Sequence, residues 1–89
     1  MDFKDKIVLV TGGANGIGRA LCEQFANAGA KVAVVDLEGD AAIAVAASLG
    51  GIGLTADVGL EADIQSVVLE TESRLGPIDI FVSNAGVSF

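Results

Sequence analysis

Apolar positions along the chain follow two alternating patterns, short continuous runs and stripes spaced three and four residues apart. Positions 6–11, Lys-Ile-Val-Leu-Val-Thr, form a β-branched run that halts at Gly12-Gly13 and predicts a strand buried on both faces. From 16 to 28, Ile17, Ala20, Leu21, Phe25 and Ala28 line one stripe, which predicts a helix that turns this stripe to the core and stops at Gly29. Positions 30–36 repeat the apolar run and end on Asp36. Asp40 is expected to cap an Ala-rich helix that closes at Leu49 before Gly50-Gly51. Positions 51–57 predict a third strand, weakened by its glycines. Between 61 and 75, Ile64, Val67, Val68, Thr71 and Leu75 share one helical face, and Gly76-Pro77 ends it. A fourth strand, 79–83, leads into Asn84-Ala85-Gly86.

Strands that alternate with helices across short connections require a parallel sheet with right-handed crossovers, so the fold class is α/β. Strands two and three are expected on one side of strand one and strand four on the other, giving the order 3-2-1-4. The first two helices then cover one face and the third covers the opposite face. The direction of winding reverses between strands one and four, and ligands of such sheets bind in the crevice opened there, at the carboxyl ends of the strands.

Composition narrows what can bind. The chain has 89 residues and a formal charge of −7, which repels nucleic-acid phosphates and anionic membrane surfaces. Neither nucleic acid nor membrane is expected as a partner, and a cytoplasmic setting is. With one Cys and no His, the sequence offers no disulfide, no His-based catalysis and no metal cluster. Cys22, among apolar neighbours on a helix, reads as a small buried hydrophobe.

The chemistry-bearing residues gather at the ends of the predicted strands. Thr11-Gly12-Gly13-Ala14-Asn15-Gly16-Ile17-Gly18 joins strand one to a helix with the spacing G-x₃-G-x-G. A pyrophosphate needs backbone N–H groups at a helix N-terminus and no Cβ in the way, and Gly12, Gly16 and Gly18 supply the sharp exit, the close approach and the tight helix contact. Taken alone, the same glycines also serve a flexible turn. Asp36 stands at the end of strand two, where a carboxylate accepts hydrogen bonds from an adenosine ribose and repels a 2′-phosphate. That predicts NAD in preference to NADP. Asp57-Val58 ends strand three and Asn84-Ala85-Gly86 ends strand four, although an Asp or Asn after a strand is often only a turn residue.

Together these four motifs, in this order and each after a strand, resemble the cofactor-site motifs of the classical short-chain dehydrogenases/reductases, over essentially the whole chain. The resemblance implies the front portion of a Rossmann domain spanning 1–89. It also implies roles: Gly12, Asn15, Gly16, Ile17 and Gly18 would line the pyrophosphate, and Asp36 and Leu37 would meet the adenosine ribose. Asp57 and Val58 would flank the adenine, and Asn84, Ala85 and Gly86 would border the nicotinamide ribose. Ser83 departs from the family, which often has Asn there. The family's Tyr-x-x-x-Lys pair and catalytic Ser follow the Asn-Ala-Gly motif, and this chain contains no Tyr. No catalytic residue is therefore expected within it. A full-length relative would transfer hydride between NAD(H) and an alcohol or ketone substrate. A stand-alone nucleotide-binding module without catalysis is the alternative; a methyltransferase shares the glycine loop but not Ser-Asn-Ala-Gly. Strand four, left as an edge, is expected to drive self-association of the isolated chain.

Overall fold

The computed structural model describes residues 2–84. Seven elements follow one another: β1 (Ile7–Thr11), α1 (Gly16–Asn27), β2 (Lys31–Asp36), α2 (Gly39–Leu49), β3 (Ile52–Thr55), α3 (Glu61–Arg74) and β4 (Ile80–Val82). The strands form one sheet in the order β3-β2-β1-β4. Every pairing is parallel, with Thr11 opposite Val35, Asp36 opposite Thr55 and Val10 opposite Val82. This is the doubly wound α/β arrangement expected from the alternation of strands and helices, and it matches the partial Rossmann fold.

Both faces of the central strands are covered, which is why their sequences read as unbroken apolar runs. Val8, Val10, Val32 and Val34 point to one side and pack with Cys22 of α1 and Ala42, Val45 and Ala46 of α2. Leu9, Ala33 and Val35 point to the other side and pack with Val67 of α3 and with Ala56. Each fully buried Val or Leu contributes about 1.5–3 kcal/mol, so β1 and β2, interleaved with three helices, are the centre of stability.

Strand β4 is short, and side chains fasten it to β1 at both ends. At one end Asp79 accepts the Ile7 N–H on its carboxylate at 2.8 Å and donates its own N–H to the Ile7 carbonyl at 2.9 Å. At the other end the Thr11 hydroxyl accepts the Asn84 N–H at 3.0 Å and donates to the Val82 carbonyl at 3.3 Å.

Three details differ from the sequence reading. The fully buried residues of α1 are Gly18 and Cys22; of the expected stripe Phe25 packs half-buried on the same core and Leu21 and Ala28 are half-buried, while Ile17 is 64% exposed and Ala20 also faces out. Gly18 explains the rotation, because a Cβ there would run into the Gly12 carbonyl, and only glycine lets the helix press this face onto the loop. Asp40 does not cap α2: Glu38 is the N-cap residue, and Asp40 lies inside the first turn. Gly39, the first residue of the helix, sits against the Thr55 hydroxyl, where a Cβ would collide. Strand β3 is trimmed to four residues, and the chain leaves the sheet before Asp57.

Candidate functional site

The residues predicted to carry chemistry converge on the carboxyl edge of the sheet. Thr11 is the last residue of β1, and Gly12 turns the chain away from the sheet at φ 65°. Gly16 opens α1 at φ 57°, and a Cβ built on it meets nothing within 4 Å, so the space above the loop is open. Asn15 is the N-cap in extended conformation, but its side chain makes no cap bond and no acid stands in the first turn. The positive end of this helix therefore meets the open edge without a carboxylate in its first turn or a side-chain cap.

The loop is held from both flanks. From β2, the Val35 carbonyl accepts the Gly13 N–H at 3.1 Å, and the Asp36 carboxylate accepts the Ala14 N–H at 3.1 Å. From the end of β4, the Asn84 side-chain amide donates to the Gly12 carbonyl at 3.3 Å. On the far side of β2, the Asp36 carbonyl accepts the Ala56 N–H at 3.1 Å. Strand ends, loop and half-buried Asp36 thus form one connected rim, with Ile17 and Leu37 exposed on it at 64% and 67%.

Asp57 stands apart from this network. Its carboxylate accepts the Gly59 N–H at 2.9 Å, and its own N–H donates to the Asp63 carboxylate at 2.9 Å. It shapes the turn into α3, with Val58 half-buried beside it. Ala85 and Gly86 lie outside the described residues. Two contributors to the rim escaped the sequence reading, the Ala14 amide and the Thr11 hydroxyl. The available signal was a small residue inside the loop and a hydroxyl at the end of an apolar strand.

Charge on the rim is negative, with Asp36, Glu38 and Asp57 following the strands. The nearest cation in sequence, Arg19, pairs with Glu23 at 3.4 Å on the exposed side of α1. Behind the loop, Cys22 lies with its Sγ 4.0 Å from the Gly13 carbonyl, and its thiol is pushed up to about 11, first by burial and then by the negative charge of Glu23. It stays neutral and acts as packing. Among the described residues no group of three His, Cys, Asp or Glu side chains is placed to hold a metal ion, and no helix is long and apolar enough to cross a membrane.

A family model described as short chain dehydrogenase matches residues 6–89. The chain belongs to the short-chain dehydrogenase family. It is 42% identical to a D-threitol dehydrogenase of Mycolicibacterium smegmatis (strain ATCC 700084 / mc(2)155), over 98% of this chain and 36% of the relative. It is also 42% identical to the 3-oxoacyl-(acyl-carrier-protein) reductase FabG of Escherichia coli (strain K12), over 99% of this chain and 37% of the relative. A solved structure, described as ribose-5-phosphate isomerase from Brucella melitensis 16M, superposes with a TM-score of 0.90 at 41% identity, over 97% of this chain and 34% of that one. The chain thus spans 34–37% of the length of these three proteins. Their names cover both redox and isomerase reactions, so the shared fold alone does not fix the chemistry.

Membership of this family implies a nicotinamide cofactor, and the residues present fit one. The positive-φ glycine loop, the open space above Gly16 and the helix N-terminus without a side-chain cap accommodate a pyrophosphate.

Proposed function

We propose that the chain binds a nicotinamide dinucleotide, NAD in preference to NADP, as the cofactor-binding part of an oxidoreductase acting on an alcohol or ketone substrate. The observation that carries this reading is the Asp36 carboxylate, hydrogen-bonded at 3.1 Å to an amide of the same loop whose helix N-terminus faces the open edge. Phosphate-binding and ribose-binding groups thereby belong to one rim. When bound, the nicotinamide supplies or accepts the hydride. Gly12, Asn15, Gly16, Ile17 and Gly18 receive the pyrophosphate on backbone N–H groups, and Asp36 with Leu37 receives the adenosine ribose. Asp57 and Val58 border the adenine, and Asn84 borders the sheet centre.

The preference for NAD follows from charge. A 2′-phosphate brings up to two negative charges against the Asp36 carboxylate, and like charges about 4 Å apart cost on the order of 4 kcal/mol at an effective dielectric of about 20. Half-exposure lowers this. Even about 1.4 kcal/mol is a tenfold preference. Asn15 and Leu37 offer no cation to offset it, and Arg19 is engaged with Glu23. The chain holds neither Tyr nor His, so neither of those groups within these 89 residues serves as a general acid/base. Calorimetric titration with NAD and NADP, repeated on Asp36→Ala, tests the assignment. The unaltered protein is expected to take NAD at least several-fold more tightly; equal affinities would remove Asp36 from the ribose.

A second proposal concerns the isolated chain. Strand β4 has β1 on one side, and its other edge is open among the described residues. We propose that a second copy of the chain pairs there.

A further inference from the structure

We infer that Asp36 positions the glycine-rich loop, so that a single carboxylate couples loop order to cofactor selectivity; the selectivity half of this inference rests on the function proposed above. The two oxygens of Asp36 have different tasks. Oδ1 accepts the Glu38 N–H at 3.1 Å within the turn after β2, and Oδ2 accepts the Ala14 N–H at 3.1 Å across 22 residues of sequence. Ala14 is 3% exposed, so water does not readily replace that bond when the carboxylate is removed. Together with the bond from Gly13 to Val35, the last two residues of β2 fasten two successive loop amides, while Asn84 fastens Gly12 from the other flank. Positions 12–14 are anchored in this way, and the open space begins at Gly16, where the ligand approaches.

Two substitutions that both remove the charge therefore have different outcomes. Asp36→Ala removes the repulsion of a 2′-phosphate and also releases the Ala14 amide, so the loop loosens and both dinucleotides bind less well than charge alone predicts. Asp36→Asn removes the charge and keeps one acceptor oxygen, which serves Ala14 only while the new amide NH2 is turned toward the Glu38 N–H. It relieves the exclusion of NADP with the loop better held than in Asp36→Ala, and so binds NADP more tightly than that variant does.

The test is amide hydrogen exchange at Ala14 in the full protein without cofactor, followed by titration with NAD and NADP. In Asp36→Ala the Ala14 amide is expected to exchange roughly tenfold faster, the factor given by loss of one hydrogen bond of ordinary strength, while Val8, Val10 and Val34 keep their protection. In Asp36→Asn, whose one oxygen is shared between Ala14 and Glu38, the Ala14 rate is expected to fall between those of the unaltered protein and Asp36→Ala. Unchanged exchange in Asp36→Ala overturns the positioning role. Asp36→Thr, which suits a strand and cannot reach as far, replaces Asp36→Ala if that variant does not fold. The exchange measurement needs no ligand. If the unaltered protein binds neither dinucleotide while Ala14 follows this pattern, the positioning role stands and the proposed function falls.

Discussion

The hydroxyl of Thr11 and the backbone N–H of Asn84 meet at 3.0 Å, and the same hydroxyl donates to the Val82 carbonyl at 3.3 Å. One side chain on β1 therefore satisfies a donor and an acceptor where β4 leaves the sheet, and it holds Asn84 within reach of the Gly12 carbonyl. Thr11→Val keeps the shape and loses both bonds, leaving two half-buried backbone groups unpaired. A loss of about 1–3 kcal/mol is expected, lowering Tm by about 4–8 °C for each kcal/mol in a unit of this size. Thr11→Ser keeps the hydroxyl and loses a methyl, worth about 0.8 kcal/mol. Thermal melts should place Ser above Val; the reverse order would mean that the residue serves as apolar filling.

Most of the framework was legible in the sequence because strong local signals agree there with tertiary packing. Val8, Val10, Val32 and Val34 on one face and Leu9, Ala33 and Val35 on the other are all buried, and glycines punctuate each element. What the periodicity of α1 could not show is that close backbone contact outweighs side-chain hydrophobicity. Gly18 has nothing to contribute to an apolar count, yet its contact with Gly12 turns Cys22 inward and Ile17 outward. Gly39 likewise packs closely on Thr55 at the start of α2, ahead of Asp40. In the candidate site, Asp36 and Asn84 were identifiable from position. Their bonds to Ala14 and Gly12 depend on distances across 22 and 72 residues of sequence, which local pattern does not encode.

Thr71 is 0% exposed on the inner face of α3, and its hydroxyl finds no hydrogen-bond partner among the described residues. A buried hydroxyl without a partner carries a desolvation penalty of about 1–3 kcal/mol, and Val reproduces its shape without the oxygen. Thr71→Val is expected to stabilise the fold by about 1 kcal/mol and to raise Tm by about 4–8 °C. Denaturant titration with an unchanged slope would confirm that the native state is the one affected. A loss of stability would show that the hydroxyl is bonded in solution.

Cys22 gives the fold a dependence on alkaline pH. Its thiol titrates at about 11 in the folded chain against 9.0 for the ordinary group, because burial and the neighbouring Glu23 disfavour the thiolate. Between these values the unfolded chain has released the proton and the folded chain still holds it. The contribution is therefore fully present below pH 9.0 and is lost as pH rises to about 11, on the order of 2–3 kcal/mol. Cys22→Ala should flatten this part of the stability profile relative to the unaltered protein, which separates it from lysine titration. Identical slopes in the two proteins would place the thiol in contact with water.

The last prediction concerns the open edge of β4. Parallel strands with apolar side chains on both faces are normally enclosed, and an unpaired edge presents a row of N–H and C=O groups to any strand that can dock. The exposure here is uneven. Ile80 and Val82 are half-buried against the α1 and α2 side, whereas Phe81, opposite Leu9 in register, lies on the α3 side and is 43% exposed. A second copy of the 89-residue chain that pairs along β4 would satisfy the edge and cover Phe81 at once. Light scattering of the isolated chain should therefore give a mass above that of the monomer, rising with concentration. Phe81→Lys should shift the chain toward monomer, because a charge on the outer strand must be desolvated on docking and repels its copy across a symmetric contact. The folded state depends mainly on the β1 and β2 core, so Phe81→Lys should keep its helical circular dichroism while losing association. A monodisperse, cooperatively melting monomer across the concentration range would overturn the pairing. Association that persists unchanged in Phe81→Lys would move it away from β4, leaving the half-buried groove between Phe3, Leu21 and Phe25 as the face to test next.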